Sequence, residues 1–442
     1  MILFLLFSFF LLSLVFYYYF SKNTSVITTA NVFVTSIIIF SFIPIIYIYN
    51  NNGFLRIDNG TPYTDASYFK YIIYVILTLL FLFPVHLFYK NKKNVLEYLC
   101  TDNNTVISNK VENLLIILSI LISLPLILFI LQLVFQHGFA GYIVNRIILL
   151  QGSGYLISLI KFPQIAIGII FYSQMYKKHR LKNDFSKLKI FLMIFYSMFL
   201  ALIMGSRSQM FIPIISLLII YLIIIHRGYI KIVDIKKPLI IIVSLLFIAI
   251  SLGQVRESIM ADKDIVFQSE ESTVSKIMFT YGSMENLLWL FEHDNPKNFE
   301  NGSTFLAALT GFIPRTLWQE KLLGGGPIMK NLIVSGSYNL SSGTNISSTT
   351  TGVITESYMN FSWLGVLFPS ILLIALNATL KFLRFLSPPV FISFYSFYIF
   401  NVFGYSTSEF FGVTAHLFMY TAAAVFFDFM IRVFSGKIIL FR

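Results

Sequence analysis

Four arginines and three acid–base side chains carry the chemistry open to this sequence. Arg146, Arg207, Arg256 and Arg315 lie at the ends of long apolar runs or in the connections between them. Arginine presents a rigid, always-charged fork that matches phosphate oxygens. Glu356 opens an apolar run just after a Ser/Thr/Gly-rich stretch, Glu285 falls on the apolar stripe of an amphipathic segment, and His293 stands in Glu292-His293-Asp294. Each of the three can take a proton from an attacking hydroxyl that comes within hydrogen-bond reach. Plainer roles exist for all of them. An arginine at a helix end snorkels to lipid phosphate or forms a structural ion pair, and a first-turn glutamate is favoured by the helix dipole. The Glu-His-Asp triplet is not a metal site, because three adjacent residues of one helix cannot all face one ion.

The elements that must position these groups are membrane helices. With 57% hydrophobic and only 12% charged residues, the 442-residue chain is far from ordinary soluble composition. Runs of about 20 apolar residues cross the ~30 Å hydrocarbon layer at 1.5 Å per residue. Lipid offers no partner to backbone polar groups, so such runs are helices, and the alternation of a barrel is absent. The expected fold is all-α and polytopic, with about eleven spans at 2–20, 31–49, 69–89, 113–135, 155–175, 188–205, 209–225, 238–253, 356–380, 390–404 and 410–433. This divides the chain into an N-terminal membrane part (1–253), a large loop (254–355) and a C-terminal membrane part (356–442). The first run has no basic segment before it and no small-residue cleavage site after it, so it reads as a membrane helix rather than a signal peptide.

Basic residues set the expected orientation. The connections 90–112, 176–187 and 226–237, the turn with Lys381 and Arg384, and the tail with Lys437 and Arg442 are basic and fall on one side of an eleven-span chain. Positive loops stay in the cytoplasm. The loop 254–355 then faces outward, and so does any site built from it. The net charge of +12 follows from the same rule and does not call for nucleic acid. Within the loop, apolar residues at three- and four-residue spacing predict an amphipathic helix from about Glu271 to Glu292. Thr304 to Trp318 reads as an apolar segment broken by Gly311 and Pro314, Gly324 to Pro327 as a turn, and Ser335 to Thr351 as a mobile loop.

Other residues bound the function. Cys100, alone, excludes an internal disulfide. No GxxxxGK[ST] and no GxGxxG follows a strand, so nucleotide-driven chemistry is not expected. Lys161 lies about two turns inside a span, where a charge suggests a site unless it snorkels outward. His86 and His416 inside spans read as packed core.

Four stretches, taken together in order, resemble the Wzy-type O-antigen polymerases. They are Gly205-Ser206-Arg207-Ser208 between two spans, Phe312-Ile313-Pro314-Arg315-Thr316-Leu317-Trp318, Thr351-Gly352 ahead of a span, and Glu356-Ser357-Tyr358-Met359-Asn360-Phe361 opening it. The resemblance implies a membrane glycosyltransferase in the bacterial cytoplasmic membrane. It would transfer a growing glycan from undecaprenyl pyrophosphate to the non-reducing end of a new lipid-linked repeat unit. Arg207, Arg256, Arg315 and Arg146 would hold the pyrophosphate. Glu356 is the first candidate for the base, then Glu285, then His293, the last because the related ligases are thought to use a loop histidine. Trp318, Tyr358 and Asn360 are candidate sugar contacts, although interfacial tryptophan is common in membranes. No cofactor or metal is expected. Expected partners are the lipid-linked oligosaccharides, membrane lipids, and a chain-length regulator and flippase of the same pathway, with no nucleic acid. The rivals are an O-antigen ligase and, from another class, a lipid-linked oligosaccharide flippase. The flippase would call for repeated halves with broken spans, which the sequence lacks.

Overall fold

Apolar runs that pair their backbone internally must coil, and a computed structural model of the chain contains only helices and their connections among the residues it describes. These are 1–21, 25, 27–51, 62–90, 107–150, 153–178, 186–204, 207–226, 230–231, 234, 240, 278, 282–293, 299–311, 313, 318, 321–337 and 349–434.

The described helices sort into two units, each discontinuous in sequence. The first comprises Met1–Lys92, Glu270–Lys381 and Asn401–Leu417. Its long helices are α1 (Ile2–Ser21), α2 (Thr29–Asn50) and α3 (Asp65–Lys90), which pack on one another. Thr28 starts α2 by accepting a hydrogen bond from the Asn31 amide at 3.2 Å. The second unit comprises Lys93–Ser269, Phe382–Phe400 and Phe418–Arg442. It holds α4 (Asn109–Leu149), the short α5 (Gly154–Ser158), α6 (Lys161–Tyr176), α7 (Lys187–Ile203) and α8 (Arg207–Ile225). Gly138 breaks the 41 residues of α4 with φ 69° and ψ 160°, a conformation that only glycine adopts readily. The straight run therefore ends at the length of a single membrane crossing, Asn109–Gly138.

Between the membrane helices of the first unit lie α9 (Glu285–Glu292), α10 (Ser303–Leu309) and α11 (Gly325–Ile333), and α12 (Gly352–Phe361) opens the candidate span Gly352–Phe385. A 3₁₀ turn, Ser362–Leu367, joins α12 to α13 (Phe368–Phe382). The chain closes with α14 (Pro388–Gly404) and α15 (Phe410–Phe434). Every residue from Gly352 to Asn360 is buried, whereas α13 exposes Ile371 and Phe382. A helix enclosed by protein can carry Thr355, Glu356, Ser357 and Asn360 where a lipid-facing one cannot.

Among the described residues, seven helical segments are long and apolar enough to cross a membrane, against the eleven spans expected of the whole chain. The expected runs 188–205, 209–225 and 390–404 form the shorter helices α7, α8 and α14, and all of 238–253 except 240 lies outside the described residues. The helix expected from Glu271 to Glu292 does not run through. Gly282 is outside any helix, Ser283 and Met284 form a turn, and only α9 follows. The expected turn at Gly324 to Pro327 is instead the start of α11. Most of the stretch expected as a mobile loop, 338–348, lies outside the described residues.

His86 is fully buried, with Nε2 2.7 Å from Asn31 Oδ1, as expected of a packed core residue. His416 is half-buried. Lys161 does not snorkel. It is 2% exposed, and its ammonium sits 4.8 Å from the centre of the Tyr420 ring.

Candidate active site

The geometry begins at Gly352. Its φ of +72° suits glycine, and a Cβ there would come 2.6 Å from the Ser406 carbonyl oxygen. This close approach lets the Val353 amide donate to the Tyr405 carbonyl at 2.7 Å. The start of α12 is thereby fastened to the connection between α14 and α15. One turn later Glu356, wholly buried, meets donors from three segments. Thr351 Oγ1 donates to Oε1 at 2.6 Å, the Phe410 amide donates to Oε1 at 2.7 Å, and Thr304 Oγ1 donates to Oε2 at 3.2 Å. Hydrogen bonds to a charged group contribute about 1.5–3 kcal/mol each. Three of them offset the several kcal/mol that burying an ion costs in practice. Asn360 completes the frame, with Nδ2 2.7 Å from both the Glu356 carbonyl and Thr304 Oγ1.

A second carboxylate stands beside the first. Glu409 immediately precedes the Phe410 amide, and it accepts a hydrogen bond from the Gly326 N–H at the start of α11. Burial pushes the Glu409 carboxyl up to about 7, against the lowering effect of that N–H. Gly324 and Gly325 make the contact possible. A Cβ on Gly324 would collide with the Glu409 carboxylate, and one on Gly325 would lie 2.5 Å from Glu356 Cδ. Glu356 and Glu409 thus lie under one strip of bare backbone and are close enough to interact electrostatically. A carboxyl raised toward neutrality by burial, as Glu409 is, can hold a proton and can accept or return it.

The other sequence candidates fall at different distances from this pair. Glu285 opens α9 and is fully buried, accepting from the Tyr63 hydroxyl at 3.2 Å. Burial, with the Glu285 charge second, drives the Tyr63 phenol well above its ordinary range, so Tyr63 serves as a fixed donor. α9 packs against α12. Tyr358 lies inside an aromatic cluster, its ring 5.3 Å from Tyr74 and 4.6 Å from Phe291. Asn360 belongs to the Glu356 frame. His293 is exposed and turned back on its own helix end, with Nδ1 3.0 Å from the Trp289 carbonyl and its ring stacked 4.3 Å from the Trp289 ring. Trp318 is half-buried.

Arg207 is the first residue of α8 and Arg146 lies in α4, both in the second unit, while Arg256 and Arg315 lie outside the described residues. Sequence reasoning missed Glu409, Thr351, Thr304 and the glycine strip. Glu409 carries the signal that picked out Glu356, an acidic residue at the opening of an apolar run. Lys321 was also missed. It is 8% exposed and donates to the Gly311 and Ile313 carbonyls at 2.7 and 2.9 Å.

Comparison with known proteins gives one positive result. The family model described as O-antigen polysaccharide polymerase Wzy matches residues 1–437, essentially the whole chain. No curated protein and no solved structure matches.

Proposed function

This chain belongs to the O-antigen polysaccharide polymerase Wzy family, and we propose that it lengthens a surface glycan by one lipid-linked repeat unit per turnover. The donor is the growing glycan on undecaprenyl pyrophosphate, and the acceptor is a hydroxyl at the non-reducing end of a fresh lipid-linked unit. The acceptor oxygen attacks the anomeric carbon and forms the new glycosidic bond. The bond from that carbon to the pyrophosphate oxygen breaks, and undecaprenyl pyrophosphate leaves. The hydroxyl proton passes to the Glu356–Glu409 pair. What carries this reading is the held geometry of Glu356, a fully buried carboxylate oriented by Thr351, Thr304 and the Phe410 amide. A base near neutrality suits proton transfer at physiological pH, and burial brings Glu409 into that range.

Arg207, Arg256, Arg315 and Arg146 neutralise the leaving pyrophosphate, the group whose charge grows as the bond breaks. Glu285 orders the wall next to α12 through Tyr63. The distribution of basic residues supports a site on the outward face of the cytoplasmic membrane. No protein group in this scheme requires a metal, so polymerisation is expected to resist EDTA. The flippase reading remains the rival of a different class.

The test is extension of a synthetic undecaprenyl-pyrophosphate repeat unit by purified protein, with EDTA and without nucleotide. A ladder of products that vanishes in Glu356→Gln, with the fold retained, supports the scheme. Movement of the cognate lipid-linked glycan across liposomes with no ladder overturns it in favour of transport.

A further inference from the structure

A groove of about 340 Å³ lies in the second unit between α4 and α7. Ile116 and Ile120 form one wall, and Lys189, Leu192, Tyr196 and Phe199 form the other. The Tyr196 hydroxyl is turned to Ser123 Oγ at 2.6 Å, which leaves the Lys189 ammonium as the polar group at the mouth. From Lys189 to Phe199 the helix advances about 15 Å at 1.5 Å per residue. That is half of the ~30 Å hydrocarbon layer, the depth of one leaflet. The groove follows the helix axis, as a lipid chain does.

The charges at the same end are unbalanced. Glu112 is fully buried and accepts from Ser173 Oγ at 2.9 Å, Gln174 Nε2 at 2.7 Å and Lys177 Nζ at 2.7 Å. Lys177 therefore matches its charge, and Lys189 reaches it only at 3.7 Å. Lys110 stands at the start of α4 and Lys187 at the start of α7, both exposed. Among the described residues, Lys110, Lys177, Lys187 and Lys189 against Glu112 leave a net charge of +3 at this end. The groove therefore has an apolar trough one leaflet deep and a surplus of cations at its rim.

We propose that the groove binds an anionic phospholipid, with one acyl chain along α7 between Leu192 and Phe199 and the headgroup phosphate at Lys189. A polyprenyl phosphate shares this chemistry. The phospholipid is favoured because the basic end is the one the charge pattern assigns to the cytoplasm, where anionic phospholipids are abundant. The bound lipid fills the space between α4 and α7 and neutralises their basic ends.

The test is native mass spectrometry of the full chain purified in detergent. It is titrated with phosphatidylglycerol, with phosphatidylcholine of the same acyl chains, and with undecaprenyl phosphate. A single basic contact at a membrane surface is expected to favour the anionic lipid by about fivefold. Lys189→Gln should bring phosphatidylglycerol down to the phosphatidylcholine level, and Lys189→Arg should keep the preference. Leu192→Trp, which fills the trough from an exposed position, should weaken both phospholipids. Equal binding of the two phospholipids by the unaltered protein overturns the proposal, and so does an undiminished preference in Lys189→Gln. Undecaprenyl phosphate outcompeting phosphatidylglycerol at equal concentration also overturns it. The wild-type comparison decides even if a variant fails to fold.

Discussion

Replacing Glu409 by Gln should make the protein more stable at alkaline pH and leave it nearly unchanged in acid. The folded state raises the Glu409 carboxyl from 4.5 to about 7. Between those values the native protein keeps a proton that the unfolded chain has released. Stability therefore falls as pH rises through that window and levels off above about 7. At about 1.4 kcal/mol per pH unit the loss amounts to about 3 kcal/mol, or a few degrees in Tm for a chain of this size. Glutamine has nearly the same shape, still accepts from the Gly326 N–H and never ionises. The assay is thermal unfolding of detergent-purified protein from pH 5 to pH 9, both proteins scanned at one rate because membrane proteins unfold irreversibly. The informative quantity is the difference between the two curves, since histidines titrate in both. That difference should open between pH 4.5 and 7 in favour of the variant and stay constant above. Parallel curves, or a variant that loses stability at pH 8, would refute the reasoning that Glu409 is held in its protonated form by burial.

Other substitutions test the rest of the site. Gly325→Ala drives a methyl toward Glu356 Cδ and should cost about 1–3 kcal/mol as an overpacked contact, read as a lowered Tm with a weakened ladder. Arg207→Ala should reduce polymerisation about 100-fold by removing one donor to the leaving group, measured as the rate of ladder growth in folded protein. His293→Ala should leave the ladder unchanged, because its ring is engaged with Trp289; loss of the ladder would bring His293 back as the base.

The helices were legible where length and apolarity decide, as in α1 to α3, because the bilayer imposes a minimum on both. Glu356 was legible too, since an acidic residue opening an apolar run stands out. Glu409 has the same setting but sits in the brief connection before Phe410, where nothing local shows that it faces Glu356. The glycine run is the clearest limit. Gly324 to Gly326 followed by Pro327 has the composition of a turn, yet its lack of side chains answers to two carboxylates 31 and 85 residues away in the chain. The break between α12 and α13 was equally hidden. Ser362 takes φ 52° without a Gly or Pro to announce it, and Gly365 packs against the Ser357 carbonyl where a Cβ would collide. The interruption before α9 falls at Gly282, a residue that the amphipathic periodicity of the segment passes over.

The Phe410 amide that holds Glu356, and Glu409 itself, belong to the opening of α15. During synthesis every other part of the acid frame is made first: Thr304, then Gly324 to Gly326, then Thr351 and Glu356. A nascent chain that has threaded α14 but not α15 into the bilayer holds a Glu356 with one donor missing and no second carboxylate beside it. On the proposed scheme, catalytic competence waits for the insertion of α15, and a chain that stalls or is cut before Phe410 is expected not to act on lipid-linked sugars in the membrane around it.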